Sequence, residues 1–140
     1  MMLTFTVEIL EWKLPFKIEL LIIWINQVVK IEKKDIARID YKFITDEELL
    51  KMNKGFLNHN YYTDVITFPQ SRGNRLAGDI AISVERVKEN ATILNTTFNQ
   101  ELKRVIIHGV LHLCGYNDAT EEEKKTMRLK ESKYLSIYPV

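Results

Sequence analysis

Residues 108–118 read HGVLHLCGYND. Two histidines four positions apart lie on one face of a helix, about 5–6 Å from each other. His108 and His112 can then grip one ion from consecutive turns. Gly115 is a natural helix stop, because glycine takes the left-handed conformation without strain. The chain reverses there, and Asp118 can swing back as a third ligand. Two neutral imidazoles and a carboxylate suit zinc with an open fourth position. The same set serves non-haem iron, so another divalent metal fits the pattern too. Cys114 is two residues from His112, points elsewhere on the helix and reads as a small buried residue. His59, the remaining histidine, reads as a solvated loop residue.

The order of elements around this stretch sets the fold class. Residues 3–10 read as a strand. Pro15 opens an apolar-striped helix through FKIELLIIWINQVVK. Residues 36–44 alternate, which predicts a strand with one wet edge or face. Thr45–Glu48 is a capping box that opens a helix to about Leu57. Residues 64–68 and 79–84 predict two strands of a hairpin, joined by the turn-rich PQSRGNRLAG. Helices follow from Ser83 and over 98–114. A last one opens at the capping box Thr120–Glu123 and is ended by Pro139. The expected architecture is α+β: a small mixed four-stranded sheet packed with about five helices, the metal site on a C-terminal helix. One domain is expected over residues 1–140.

Composition excludes several classes. Hydrophobic residues make up 46%, too many for a disordered chain. The net charge of +1 leaves no global cationic field, so nucleic-acid contact must rest on a local patch. One cysteine excludes an internal disulfide and fits a reducing cytoplasm. The N-terminus lacks the pattern of a signal peptide, and the longest apolar run, Leu20–Ile25, is too short to span a bilayer. A cytoplasmic location without membrane attachment is expected.

The chemistry is narrowed by what is missing. Zinc peptidases of the His-Glu-x-x-His type use that glutamate as general base. Gly109 stands in its place and cannot take a proton. A metal still acidifies water and polarises a phosphoryl oxygen. An aspartate ligand lowers the net charge of the site, so that water is expected to be less acidic than with three histidines. Met127 reads as a helix-core residue, not as a methionine beneath the metal.

At these residues the chain resembles the YbeY-like family of bacterial endoribonucleases and rRNA maturation factors. Its signature is similar to His-Gly-x-Leu-His-Leu-x-Gly-Tyr, matched through His108, Gly109, Leu111, His112, Leu113, Gly115 and Tyr116. Upstream, FLN at 56–58, TDVITFP at 63–69 and Gly78-Asp79-Ile80 match further family segments in order. The resemblance implies a metal-dependent endoribonuclease specific for single strands. It further implies work on 16S rRNA 3′ ends and in small-subunit quality control, with rRNA and ribosome-associated proteins as partners. Two departures stand out. Asp118 replaces the family's third histidine ligand. HNYY, residues 59–62, fills a segment that in the family is longer and carries an arginine thought to serve catalysis. Arg104, one turn before His108, and Arg72 and Arg75, between the hairpin strands, are the candidates to replace it; the ordinary reading of each is a solvated surface arginine. Lys33–Lys34 and Lys124–Lys125 receive no role. Attack by water and attack by the RNA's own 2′-hydroxyl both fit this reading. The rivals are a non-catalytic ribosome-biogenesis factor with a structural metal and, behind it, a zinc peptidase.

Overall fold

The computed structural model describes residues 1–57 and 62–139. Asn58 and His59 therefore fall outside the described residues. The elements run β1 (Met2–Val7), α1 (Ile18–Ile31), β2 (Asp35–Ile44), α2 (Asp46–Leu57), β3 (Val65–Pro69), β4 (Arg75–Ser83), α3 (Val84–Ile93), α4 (Phe98–Leu113) and α5 (Glu121–Leu135). The strands form one sheet in the order β1-β2-β4-β3, parallel except for the antiparallel β3–β4 pair. This is the expected α+β fold with a mixed four-stranded sheet.

The main core lies between the sheet and the helices. Ile39, Tyr41 and Phe43 of β2 and Leu76, Ile80 and Ile82 of β4 meet Trp24, Ile25 and Val28 of α1 and Val105, Ile106 and Val110 of α4. Two buried hydrogen bonds fix the helices, one tying α4 to β2 and the other tying α1 to α5. The Tyr41 hydroxyl donates to the Ile106 carbonyl at 2.7 Å, and Trp24 Nε1 donates to the Tyr134 carbonyl at 2.7 Å. The first of these holds α4 two residues before His108. A smaller cluster of Ile44, Leu49, Ile66 and Ala81 packs α2 against the opposite face of the sheet. No described helix is long and apolar enough to cross a membrane.

Several boundaries differ from the sequence reading. Pro15 precedes α1, which starts at Ile18 with Lys17 as its N-cap. At the other end, α5 stops at Leu135, ahead of Pro139, with Ser136 as its C-cap. β2 is an inner strand between β1 and β4, so it has a wet face and no wet edge. Its register slips between Ile36 and Arg38. That bulge lets Ile36 reach the core although Arg38, Asp40 and Lys42, which share its parity, face solvent in part. β4 begins at Arg75, four residues before the predicted start, because Gly78 is not a turn residue. A Cβ on Gly78 would lie 2.7 Å from the Phe68 carbonyl oxygen and 2.9 Å from Leu113 Cδ2. Glycine is there to let β3 and α4 close on the strand.

Gly109 has a similar duty on α4. A Cβ there would lie 2.8 Å from Cγ2 and 3.0 Å from Cδ1 of Ile80. The absent glutamate thus has a packing cause: position 109 faces the sheet. Gly78→Ala is expected to cost toward the upper end of the roughly 1–3 kcal/mol typical of overpacking, since the obstacle is backbone. Gly109→Ala is expected to cost less. The Ile80 side chain can yield, and alanine returns up to about 1 kcal/mol of helix preference. Urea unfolding of both variants checks the order; a smaller loss at Gly78 than at Gly109 contradicts it.

Candidate metal centre

α4 and the turn after it build the site. Thr97 caps the helix start by accepting from the Gln100 N–H at 3.1 Å. At the C-terminal end Gly115 has φ +105°, the Gly115 N–H donates to the His112 carbonyl at 3.0 Å and the Tyr116 N–H to the Leu111 carbonyl at 3.0 Å. This paired closure is the Schellman motif, which turns the chain sharply at a left-handed glycine. It directs residues 116–118 back beside the helix end. The Thr120–Glu123 capping box then opens α5, which returns along α4.

The turn brings three side chains together. His108 Nε2 and His112 Nε2 are 2.9 Å apart, and Asp118 Oδ2 lies 3.3 Å from the first and 3.6 Å from the second. Zinc–nitrogen and zinc–oxygen bonds of about 2.0–2.2 Å at tetrahedral angles require ligand–ligand edges of about 3.3–3.6 Å. The observed triangle is close to that size. Each Nδ1 is already committed. His112 Nδ1 lies 2.8 Å from the Tyr116 carbonyl, and His108 Nδ1 lies 2.6 Å from Glu131 Oε2. Both oxygens are acceptors, so each ring carries a proton on Nδ1, and in neutral rings the Nε2 lone pairs are turned toward each other. Two lone pairs at this distance repel unless a proton or a metal ion stands between them. Burial, with His108 as neighbour, lowers the His112 pKa and so favours the neutral ring that a metal needs. His108, His112 and Asp118 could hold a metal ion, as the sequence reading expects.

Behind the histidines lies a charged network. Glu101 and Glu131 are only 2% and 3% exposed. Arg104 donates to Glu101 from Nε at 2.8 Å and from Nη2 at 2.6 Å, and from Nη1 to both Glu131 oxygens at 3.3 Å. Asp64 Oδ2 is 3.6 Å from its Nη2. Burial opposes the Arg104 charge, but these carboxylates outweigh it and raise its pKa. Arg104 thus lines the cleft at the site, with its side chain 29% exposed. Its guanidinium is directed to carboxylates. Arg72 and Arg75 instead bridge each other at the β3–β4 turn, where Gly73 has φ +58°, and Arg75 is the first residue of β4. The cleft at the site is lined by Leu94, Arg104, His108, Asp118, Lys124, Met127, Arg128 and Glu131, without either of them.

A second network ties the turn to α1. Glu32, at the C-cap of α1, accepts from the Tyr116 hydroxyl at 2.7 Å, from Lys130 Nζ at 2.9 Å and from the Tyr134 hydroxyl. Burial alone would raise the Glu32 pKa, but the bonds from Tyr134, Tyr116 and Lys130 lower it. Cys114 is partly buried and packs on the core, and burial pushes its thiol up to about 11, which disfavours a thiolate ligand. Met127 is buried yet borders the cleft.

Sequence reasoning missed Glu131, Glu101, Asp64 and Glu32. Glu101 stands three residues before Arg104, a spacing that signals a helix pair, but nothing in it signals burial. Glu131 sits among the many charges of α5, and no local pattern separates it from Glu121–Glu123.

The model of the family described as Endoribonuclease YbeY matches residues 7–139. The chain belongs to the YbeY family. Among proteins named Endoribonuclease YbeY, that of Christiangramia forsetii is 49% identical over 117 residues, covering 84% of this chain and 82% of the relative. That of Cytophaga hutchinsonii is 50% identical over 115 residues, with 81% and 80% covered. A Thermotoga maritima protein solved in solution superposes with a TM-score of 0.63 at 28% identity, covering 96% of this chain and 87% of that one. The YbeY family resemblance carried by HGVLHLCGY, TDVITFP and Gly78-Asp79-Ile80 is thereby borne out.

Proposed function

We propose that this chain is a single-domain, zinc-dependent endoribonuclease that cuts single-stranded RNA, holding the ion through His108, His112 and Asp118. The observation that carries the reading is the convergence of two Nε2 atoms and one carboxylate oxygen, with both Nδ1 protons already bound. The endoribonuclease name of its relatives supplies the reaction class. The resemblance to rRNA maturation factors extends the proposal to 16S rRNA 3′ ends on the small subunit, in the cytoplasm.

When bound, a divalent ion supplies acidified water and neutralises phosphoryl charge. The chain's residues do the rest. Glu131 and the Tyr116 carbonyl fix the tautomer and aim of the two rings, as hydrogen-bond partners of metal-ligating histidines do. Asp118, with 44% of its side chain exposed, flanks the open side of the group, where substrate enters. Arg104 holds Glu131 against His108. Three protein ligands beside an open cleft match the pattern of catalytic zinc, whereas structural zinc is closed by four. That favours the enzyme over a biogenesis factor with a structural ion. A peptidase base is missing: Gly109 faces Ile80, and Glu131 meets His108 on its Nδ1 side, away from the group.

The test is cleavage of a single-stranded oligoribonucleotide and of its duplex by zinc-loaded protein. The expected result is cutting of the single strand, lost on chelation and restored by zinc. A 2′,3′-cyclic phosphate end marks attack by the 2′-hydroxyl; its absence throughout the time course marks attack by water. Cutting that persists after complete metal removal contradicts the reading.

A further inference from the structure

An RNA-cleaving site must neutralise a phosphodiester, and the arginine nearest the histidines is already engaged. Asp64, Glu101 and Glu131 surround the single guanidinium of Arg104. With Asp118 the site holds four carboxylates against that one cation. A divalent ion added to neutral histidines leaves the group one negative charge from neutrality. An approaching phosphodiester brings another. Positive charge on the open side is therefore required, and α5 supplies it.

Lys124, Met127, Arg128 and Glu131 all border the cleft, at the spacing of one helical face. The buried pair, Met127 and Glu131, forms the inner part of the stripe, and the exposed pair, Lys124 and Arg128, its rim. Arg128 has no hydrogen bond or ion pair among the described residues. Among the described residues the Lys124 side chain has only an exposed contact to Glu121 at 3.8 Å, a kind of pair that contributes little. A planar guanidinium with free donors matches the oxygens of a phosphate in a way a saturated one cannot.

We propose that Arg128, with Lys124 one turn before it, binds the phosphodiester of the RNA strand beside His108, His112 and Asp118. The proposal rests on the endoribonuclease reading and assigns the phosphate contact that Arg104, Arg72 and Arg75 do not make. It also gives Lys124 a role that its place in a Lys-Lys pair did not suggest.

The experiment measures binding of a fluorescein-labelled, single-stranded 2′-O-methyl oligoribonucleotide, which resists cleavage, to zinc-loaded wild type, R128A, R128K and K124A across a salt series. Zinc content and thermal unfolding are recorded on the same samples. R128A is expected to bind about tenfold more weakly or worse, with the salt slope reduced by about one, as loss of a phosphate contact requires. R128K should recover part of the affinity, K124A should show a smaller loss, and zinc content should stay at the wild-type level. R128A with wild-type affinity and slope overturns the phosphate role alone. A wild type that neither binds this strand nor cuts its unmodified counterpart overturns the endoribonuclease reading with it.

Discussion

His112→Ala is expected to lose its metal and its RNA cleavage together while keeping its fold. His112 provides one of three converging atoms, and its Nε2 lies 2.9 Å from that of His108. Without it, two ligands remain on a surface that water reaches. The loss of affinity should exceed the roughly 10–100-fold that removing a ligand's hydrogen-bond partner costs. The fold should survive because α4 is held elsewhere, by Tyr41 on the Ile106 carbonyl and by the apolar row of Leu102, Val105, Ile106 and Val110. Zinc competition titration and circular dichroism on the same sample check both halves. A variant that binds zinc like the wild type contradicts the ligand assignment.

Glu131→Gln should weaken zinc binding by about 10–100-fold without removing a ligand. Glu131 accepts the His108 Nδ1 proton at 2.6 Å and takes two contacts from Arg104. Glutamine keeps the shape but loses the charge that both partners face. Glu131→Ala should add a stability cost of about 1–3 kcal/mol, because His108 is left with an unmet donor and Arg104 with one fewer acceptor. Arg104 keeps Glu101 and Asp64, so the cost stays below that of stripping a buried ion pair. The split is diagnostic: glutamine should lower affinity with little change in melting, and alanine should lower both. Unchanged zinc affinity in Glu131→Gln contradicts the positioning role.

These residues also mark how far the sequence could be read. The three candidate ligands were legible because helical spacing, a glycine stop and a short return to Asp118 are local geometry. Their supports were not. Glu131 reaches His108 across 23 positions, Asp64 reaches Arg104 across 40, and Glu32 reaches Tyr116 across 84. Such pairings depend on how α5, β3 and α1 stack around α4, which no local pattern encodes. Element types were legible wherever periodicity was strong, as in α1 and α4. Boundaries failed where one residue carries two meanings. Gly78 reads as a turn, but it sits within β4 because Phe68 and Leu113 need its missing side chain. Pro15 and Pro139 read as the ends of helices, yet each lies beyond the end it was assigned to mark. Ile36 follows the parity of the wet face and is still buried, because the bulge resets the strand's phase.

The most direct measurement is the zinc content of tag-free wild type and Asp118→Ala, purified identically and read by elemental mass spectrometry. About one zinc per chain in the wild type, sharply reduced in the variant, is the result that a three-ligand centre predicts. A wild type that holds no metal after zinc loading and dialysis contradicts the centre, and with it the catalytic role assigned to His108, His112 and Asp118.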